Sequence, residues 1–385
     1  METAELLFEI LRSEVNEELI ETELCRDYDP KALYRLAKAH DVMYCVTDAL
    51  YKVNLLPIDQ SMHDAYVKEK MTAVFRTVRI EETIKRIKEA LNEAHVSFIP
   101  LKGARSRSMY PDNMMRSSCD IDVLVKEEQL GQAVASLVNC GFSTDGKRAY
   151  HDVSLYYGDV HLELHFSICE DMEDIDVLLK RVWEYVEPVS EYEYQEKPEF
   201  FVYHHLAHMK YHFVHGGCGI RTFLDLYVMR KIGFYDESKL VDLLESVGLI
   251  TFYHVILDVI SVWFEKKPHN ELTKKCEEYI LHGGTYGAFE NSTAVYSSLR
   301  GSKIGNAVHM VFPKYESMCR LYPKLSGKKI LLPFYYIRRL LEKTFRKSEK
   351  NSRNKLKKIL VQDQSHINSV GELLTAMGLK SGDAT

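Results

Sequence analysis

Two aspartates two residues apart head the run Asp120-Ile121-Asp122-Val123-Leu124-Val125. A third carboxylate, Glu163, lies within Val160-His161-Leu162-Glu163-Leu164-His165-Phe166. Side chains alternate faces along a strand, so Asp120 and Asp122 share one face while Ile121 and Val123 share the other. The second run alternates likewise and groups His161, Glu163 and His165. Two neighbouring strands would aim three carboxylates at one spot, where they repel unless a hard, oxygen-seeking cation such as magnesium separates them. That chemistry suits metal-dependent transfer at phosphorus. The chain carries its own control in Asp174-Ile175-Asp176. This second pair opens an apolar helical pattern at Val177, Leu178, Leu179 and Val182, where acids favour the positive end of the helix dipole. Asp120 and Asp122 instead precede a buried strand, where charge is costly unless coordinated or paired.

Other groups could serve such a centre. Imidazole is a mediocre magnesium ligand, so His161 and His165 read as supporting or substrate-contacting groups. Lys102-Gly103 forms a turn between a strand and a helix, where a glycine lets backbone approach phosphate and a lysine neutralises it. Arg116 and Ser117, just ahead of the aspartates, are candidates for gripping a triphosphate, whereas Arg105 and Arg107 read as surface arginines. His204, His208 and His212 recur every four residues on one helical face. With no acidic or cysteine ligand inside that stretch, a zinc site is disfavoured and a wall of the substrate cleft is favoured, with His208 and His212 facing substrate. Arg221 and Asp225 are i,i+4 partners that either brace each other or act directly, Arg221 on phosphate and Asp225 or His208 on an acceptor proton.

The elements that must position these groups are legible in part. Residues 1–95 read as helical, most clearly from Val78 to His95 with Ile80, Ile84, Ile87 and Leu91 on one stripe. Val96 to Leu101 reads as a strand near a sheet edge because it contains Pro100. Ala104 to Tyr110 reads as a short helix, and Glu127 to Cys140 as an amphipathic helix stopped by Gly141. Tyr150 to Tyr157 and Val160 to Phe166 form a hairpin about Gly158-Asp159. The fold class is therefore α+β: a small mixed β-sheet over 96–188, flanked by a helical region at 1–95, a helical substrate-binding region at 189–327 and a basic helical segment at 328–385. That last segment has an apolar stripe at Leu331, Leu332, Phe334, Ile337 and Leu341. It reads as a capping helix with a solvated cationic side, contact with an anionic membrane or RNA being the alternative; the last twenty residues read as frayed.

Composition bounds the rest. The 385 residues, 46% of them hydrophobic and with a net charge of −6, describe an ordinary globular protein and give no global argument for nucleic-acid binding. The first residues lack the basic and apolar regions of a signal peptide. The longest apolar run, 249–264, is interrupted by His254 and Asp258 and reads as a buried helix, not a membrane span. Eight cysteines without a close CxxC pair fit reduced thiols and a cytoplasmic setting.

Leu101-Lys102-Gly103, the stretch Arg116 to Val125 and Leu162-Glu163-Leu164-His165 together resemble the nucleotidyltransferase-fold superfamily (DNA polymerase beta-like). Within it they resemble a bacterial family of uncharacterised nucleotidyltransferases. Tyr322-Pro323 and Leu331-Leu332-Pro333-Phe334 extend the likeness towards the C-terminus. The resemblance implies two magnesium ions (manganese as a substitute) held by Asp120, Asp122 and Glu163, a nucleoside triphosphate such as ATP at Gly103, and transfer of its monophosphate to an acceptor hydroxyl. The superfamily turn usually carries Gly or Ser after its glycine, where this chain has Ala104. A small-molecule acceptor is the first expectation; an RNA or protein acceptor, or a non-catalytic nucleotide- or partner-binding regulator, are the alternatives.

Overall fold

The computed structural model describes residues 2–285, 287–345 and 358–379. Its centre is a mixed sheet of β1 (Phe98–Pro100), β2 (Asp120–Val125), β3 (Ser143–Arg148), β4 (Asp152–Tyr157) and β5 (Val160–His165), in the order β1-β2-β5-β4-β3. β2 and β5 run parallel; the other neighbouring pairs are antiparallel. Helices flank the sheet on both sides in sequence, so the architecture is α+β as the sequence indicates. β3 escaped the sequence reading. Its polar run Ser-Thr-Asp-Gly-Lys-Arg is mostly exposed, and its register shifts between Thr144 and Arg148, so it offers no alternation to detect. Pro100 ends β1 at the sheet edge, as expected. A two-stranded sheet, β6 (Val186–Pro188) with β7 (Tyr194–Glu196), lies beside that edge, and the Phe98 N–H donates to the carbonyl of Tyr192 at 2.9 Å.

Alternation along β2 and β5 divides the core. Ile121, Val123, Val125, Leu162 and Leu164 pack with Ile80, Ile87 and Leu91 of the helix Gln60–Glu93 and with Ala133 and Leu137 of the helix Leu130–Asn139. The long helix begins eighteen residues before Val78, with the Asp59 carboxylate accepting from the Met62 N–H. Its first half buries little beyond Tyr66, Ala73 and Thr77, too sparse a stripe to mark a start. On the opposite sheet face, Ile99, Leu101 and Leu124 join a larger core that unites both ends of the chain. There Phe8 of the helix Thr3–Val15 stacks on Trp263 of the buried helix Ile250–Glu265, centroids 4.4 Å apart. The C-terminal end corrects an expectation. Gln364–Ala376 is a helix burying Ile367, Val370, Leu373 and Leu374, so the described part of the last twenty residues is docked, not frayed. Apolar residues at i, i+3, i+6 and i+7 supply that buried stripe.

His40 couples this core to pH. It is fully buried; its Nδ1 accepts the Ile220 N–H at 3.2 Å, and burial pushes its pKa down to about 4. The folded value lies below the unfolded one, so this contribution is present above pH 6.5 and is lost as pH falls towards 4. The slope from His40 alone approaches about 1.4 kcal/mol per pH unit. His40→Asn, which retains an acceptor for Ile220, is expected to flatten the urea-midpoint profile between pH 6.5 and 4 by about one proton; an unchanged slope would exclude His40 as the acid-sensitive group.

Candidate active site

Where the sheet face that carries Leu124 reaches the start of β2, it changes from apolar to acidic. The parallel register sets Asp120 opposite His161, Asp122 opposite Glu163 and Leu124 opposite His165. Ligand-type atoms of Asp122, Glu163 and His165 all lie within 4.8 Å of one another. His165 Nε2 lies 3.0 Å from an oxygen of Asp122 and 3.5 Å from one of Glu163. Burial alone would lower the His165 pKa, but the bonds to both carboxylates outweigh it and push the imidazole up to about 9. Burial likewise opposes ionisation of Asp122, yet the His165 bond and the Lys102 charge hold it well below the usual carboxylate range. The same histidine lowers Glu163. Asp120 is the most open of the three; loss of surrounding water and the charges of Asp122 and Glu163 push it up. Negative charge thus accumulates faster than His165 and Lys102 offset it. A hard divalent cation would relieve the repulsion that pushes Asp120 up; Asp120, Asp122 and Glu163 could hold it through oxygen, Asp122 and Glu163 being the two that lie in the close cluster with His165. His161 flanks Glu163, its Nδ1 3.9 Å from a Glu163 oxygen, while its ring stacks on Tyr156 and its Nε2 lies 3.1 Å from Ser154 Oγ, towards β4.

The acidic face borders a cleft of about 360 Å³, closed on the far side by the helices Pro198–Val214 and Ile220–Lys231. Lys102 and His208 meet across it, Nζ to Nδ1 at 3.0 Å, and Glu170 reaches the same ring nitrogen at 2.7 Å. One nitrogen cannot accept from lysine and donate to glutamate together, so the His208 proton decides which contact forms. Burial and the Lys102 charge push His208 down to about 3, and burial pushes His212 down to about 4, so both rings are neutral. His208 Nε2 and His212 Nε2 lie 2.9 Å apart. His204, the third of the series, turns its Nδ1 to Glu196 at 2.9 Å. Lys102 itself has φ +33°, a conformation L residues avoid, so its placement is strained. Gly103 does not require glycine for folding: its φ is ordinary, and the nearest atoms to a Cβ there would be those of Ser118 at 3.6 Å and Arg116 at 3.9 Å, normal contacts.

The remaining candidates are engaged with protein. Arg116 Nε donates to both Asp225 oxygens at 2.7 and 2.9 Å; both residues are buried, and Tyr110 adds a third bond to that carboxylate. Asp225 therefore pairs with Arg116 rather than bracing Arg221. Arg221 instead reaches Asp41 and the Ser117 carbonyl, while its Nε is buried with no hydrogen-bond partner among the described residues. Ser117 Oγ donates to Asp41, 3.0 Å away, leaving Ser118 to line the cleft. Arg105 and Arg107 are not surface arginines. Arg105 lies over the rings of Phe201 and Phe234, and Arg107 is buried, donating to Ser118 Oγ at 2.8 Å and to the Arg116 carbonyl. The expected structural role of the Asp174 pair agrees with its geometry: Asp176 accepts from the N–H groups of Glu170 and Met172, and Asp174 pairs with Lys210. No local pattern marks Asp41, Ser118 or Glu170, nor His151, which lines the cleft with its ring stacked on His165 at 5.4 Å between centroids.

A family described as uncharacterised nucleotidyltransferase matches residues 26–265, which include the whole sheet and both cleft helices. The chain belongs to this family. Comparison with curated proteins and with solved structures gives no match. Membership supports nucleotidyltransferase chemistry in general and a nucleoside triphosphate as the substrate. Among the described residues no helix is long and apolar enough to cross a membrane.

Proposed function

We propose that the protein transfers a nucleoside monophosphate from a nucleoside triphosphate to the hydroxyl of a small acceptor in a magnesium-dependent reaction that releases pyrophosphate. The observation that carries this reading is the β2–β5 register, which brings Asp122, Glu163 and His165 together beneath a cleft with Asp120 one pleat away. Two magnesium or manganese ions held by Asp120, Asp122 and Glu163 would neutralise the attacking and leaving oxygens. The residues of the chain do the rest. Lys102, with Arg221 beyond it, offsets triphosphate charge, and Gly103 lets backbone approach the phosphates. Glu163, held ionised by His165, takes the acceptor proton as the new P–O bond forms and the bond to pyrophosphate breaks. His208 and His212, neutral and wall-mounted, hydrogen-bond the acceptor. A cleft closed by Pro198–Val214 favours a small acceptor over a polymer.

Thermal shift with each nucleoside triphosphate and magnesium tests the site. Occupancy at a hundred times Kd stabilises by about 2.7 kcal/mol, so a rise in midpoint that requires both nucleotide and metal is expected; no rise with any triphosphate sinks the reading. Gly103→Ala refines it. The space at that Cβ predicts an unchanged midpoint without ligand and a smaller ligand-induced rise, whereas an equal rise removes Gly103 from the phosphate site.

A further inference from the structure

The helix Leu332–Phe345 is amphipathic in an unexpected sense. Its inward face is polar and aromatic: Tyr336 donates to the Pro313 carbonyl at 2.5 Å, and Arg339 donates to the carbonyls of Met310 and Val311 at 3.2 and 2.9 Å. Phe334, Ile337 and Leu341, at i, i+3 and i+7, occupy the opposite face and are 67%, 57% and 52% exposed; Ile330, just before the helix, is 89% exposed. A capping helix would bury this stripe, so the capping reading does not describe it. Lys328, Lys329 and Arg338 are exposed around the same stripe.

Charge points to what covers it. Between positions 303 and 345 the chain carries nine Lys and Arg against two Asp and Glu, although its total is −6. The cationic end is therefore set against a strongly acidic remainder, which orients the molecule in an electric field. RNA would satisfy the cations but gain nothing from outward isoleucine and leucine side chains. An anionic bilayer surface takes both, apolar side chains entering the acyl boundary while lysine and arginine meet the headgroups. We propose that this face docks the protein peripherally on an anionic lipid bilayer. The proposal is independent of the nucleotidyl-transfer reading.

Sedimentation of the full chain with phosphatidylcholine vesicles, with and without phosphatidylglycerol, tests it. Binding is expected to vesicles containing phosphatidylglycerol, to fall with salt, and to be weak on phosphatidylcholine alone. Phe334→Asp with Ile337→Asp is expected to lower partitioning more than tenfold, and Lys328→Gln or Lys329→Gln roughly fivefold each, at about 1 kcal/mol per charge. Because these side chains are exposed, the thermal midpoint of each variant should match that of the parent. Failure to bind anionic vesicles, equal binding to neutral ones, or binding indifferent to the Asp pair overturns the proposal. So does a self-association or an RNA retention that the Asp pair abolishes while vesicle binding is absent, which assigns the face to a second copy or to RNA.

Discussion

Asp122→Asn is expected to lower magnesium-dependent pyrophosphate release by roughly 10²–10³-fold, the scale seen when one preorganised electrostatic group is removed. Asparagine keeps the shape and one acceptor oxygen, so the change isolates charge. Asp122 is the member of the trio most strongly held ionised and the one His165 approaches most closely. The fold should survive, because losing the His165 pair is countered by relief of the repulsion felt by Asp120 and Glu163. The nucleotide-and-metal thermal rise should disappear with the activity. Asp174→Asn supplies the control: it alters a second DxD that pairs with Lys210 outside the cleft, so activity per folded molecule should stay at the parental level. Release of pyrophosphate by Asp122→Asn at the parental rate would remove the carboxylate trio from the chemistry.

The second large effect concerns stability. Asp225→Asn leaves the buried Arg116 guanidinium without its counter-charge, and breaking a buried pair in this way costs about 3–5 kcal/mol. Tyr110 also loses an ionised acceptor 2.7 Å away. Urea unfolding should show this as a lower midpoint at an unchanged slope. The double variant Arg116→Met with Asp225→Leu should recover much of the loss, because removing both charges also removes their desolvation penalty. A loss below about 1 kcal/mol in Asp225→Asn, the value of an exposed pair, would mean that solvent reaches Arg116. The pair also bears on function. An inactive Arg116 variant that is unfolded says nothing about phosphate, so its activity must be read per folded molecule.

Short-range pattern determined much of this protein. Strand alternation fixed which face Asp120, Asp122 and Glu163 occupy, and the helical spacing after Asp174 marked that pair as structural. A long apolar run, broken by His254 and Asp258, likewise marked the buried helix near 249–264. These depend on residues close together in the chain, which sequence displays directly. The exposed β3 and the sparse first half of the Gln60–Glu93 helix left no such trace, because elements that bury little need no periodic apolar face. Partner choice lay beyond the sequence for a different reason. Arg221 has Asp225 four residues away, yet reaches Asp41, 180 positions distant, while Asp225 takes Arg116, 109 positions away. Buried charges select the counter-ion that packing brings within reach, and desolvation makes that long-range pairing outweigh a local i,i+4 contact. The parallel register of β2 with β5 was settled the same way, by burial of Ile121, Val123, Leu162 and Leu164 against two helices. Sequence alone placed three carboxylates on strands; the tertiary core decided that two of them would meet around His165.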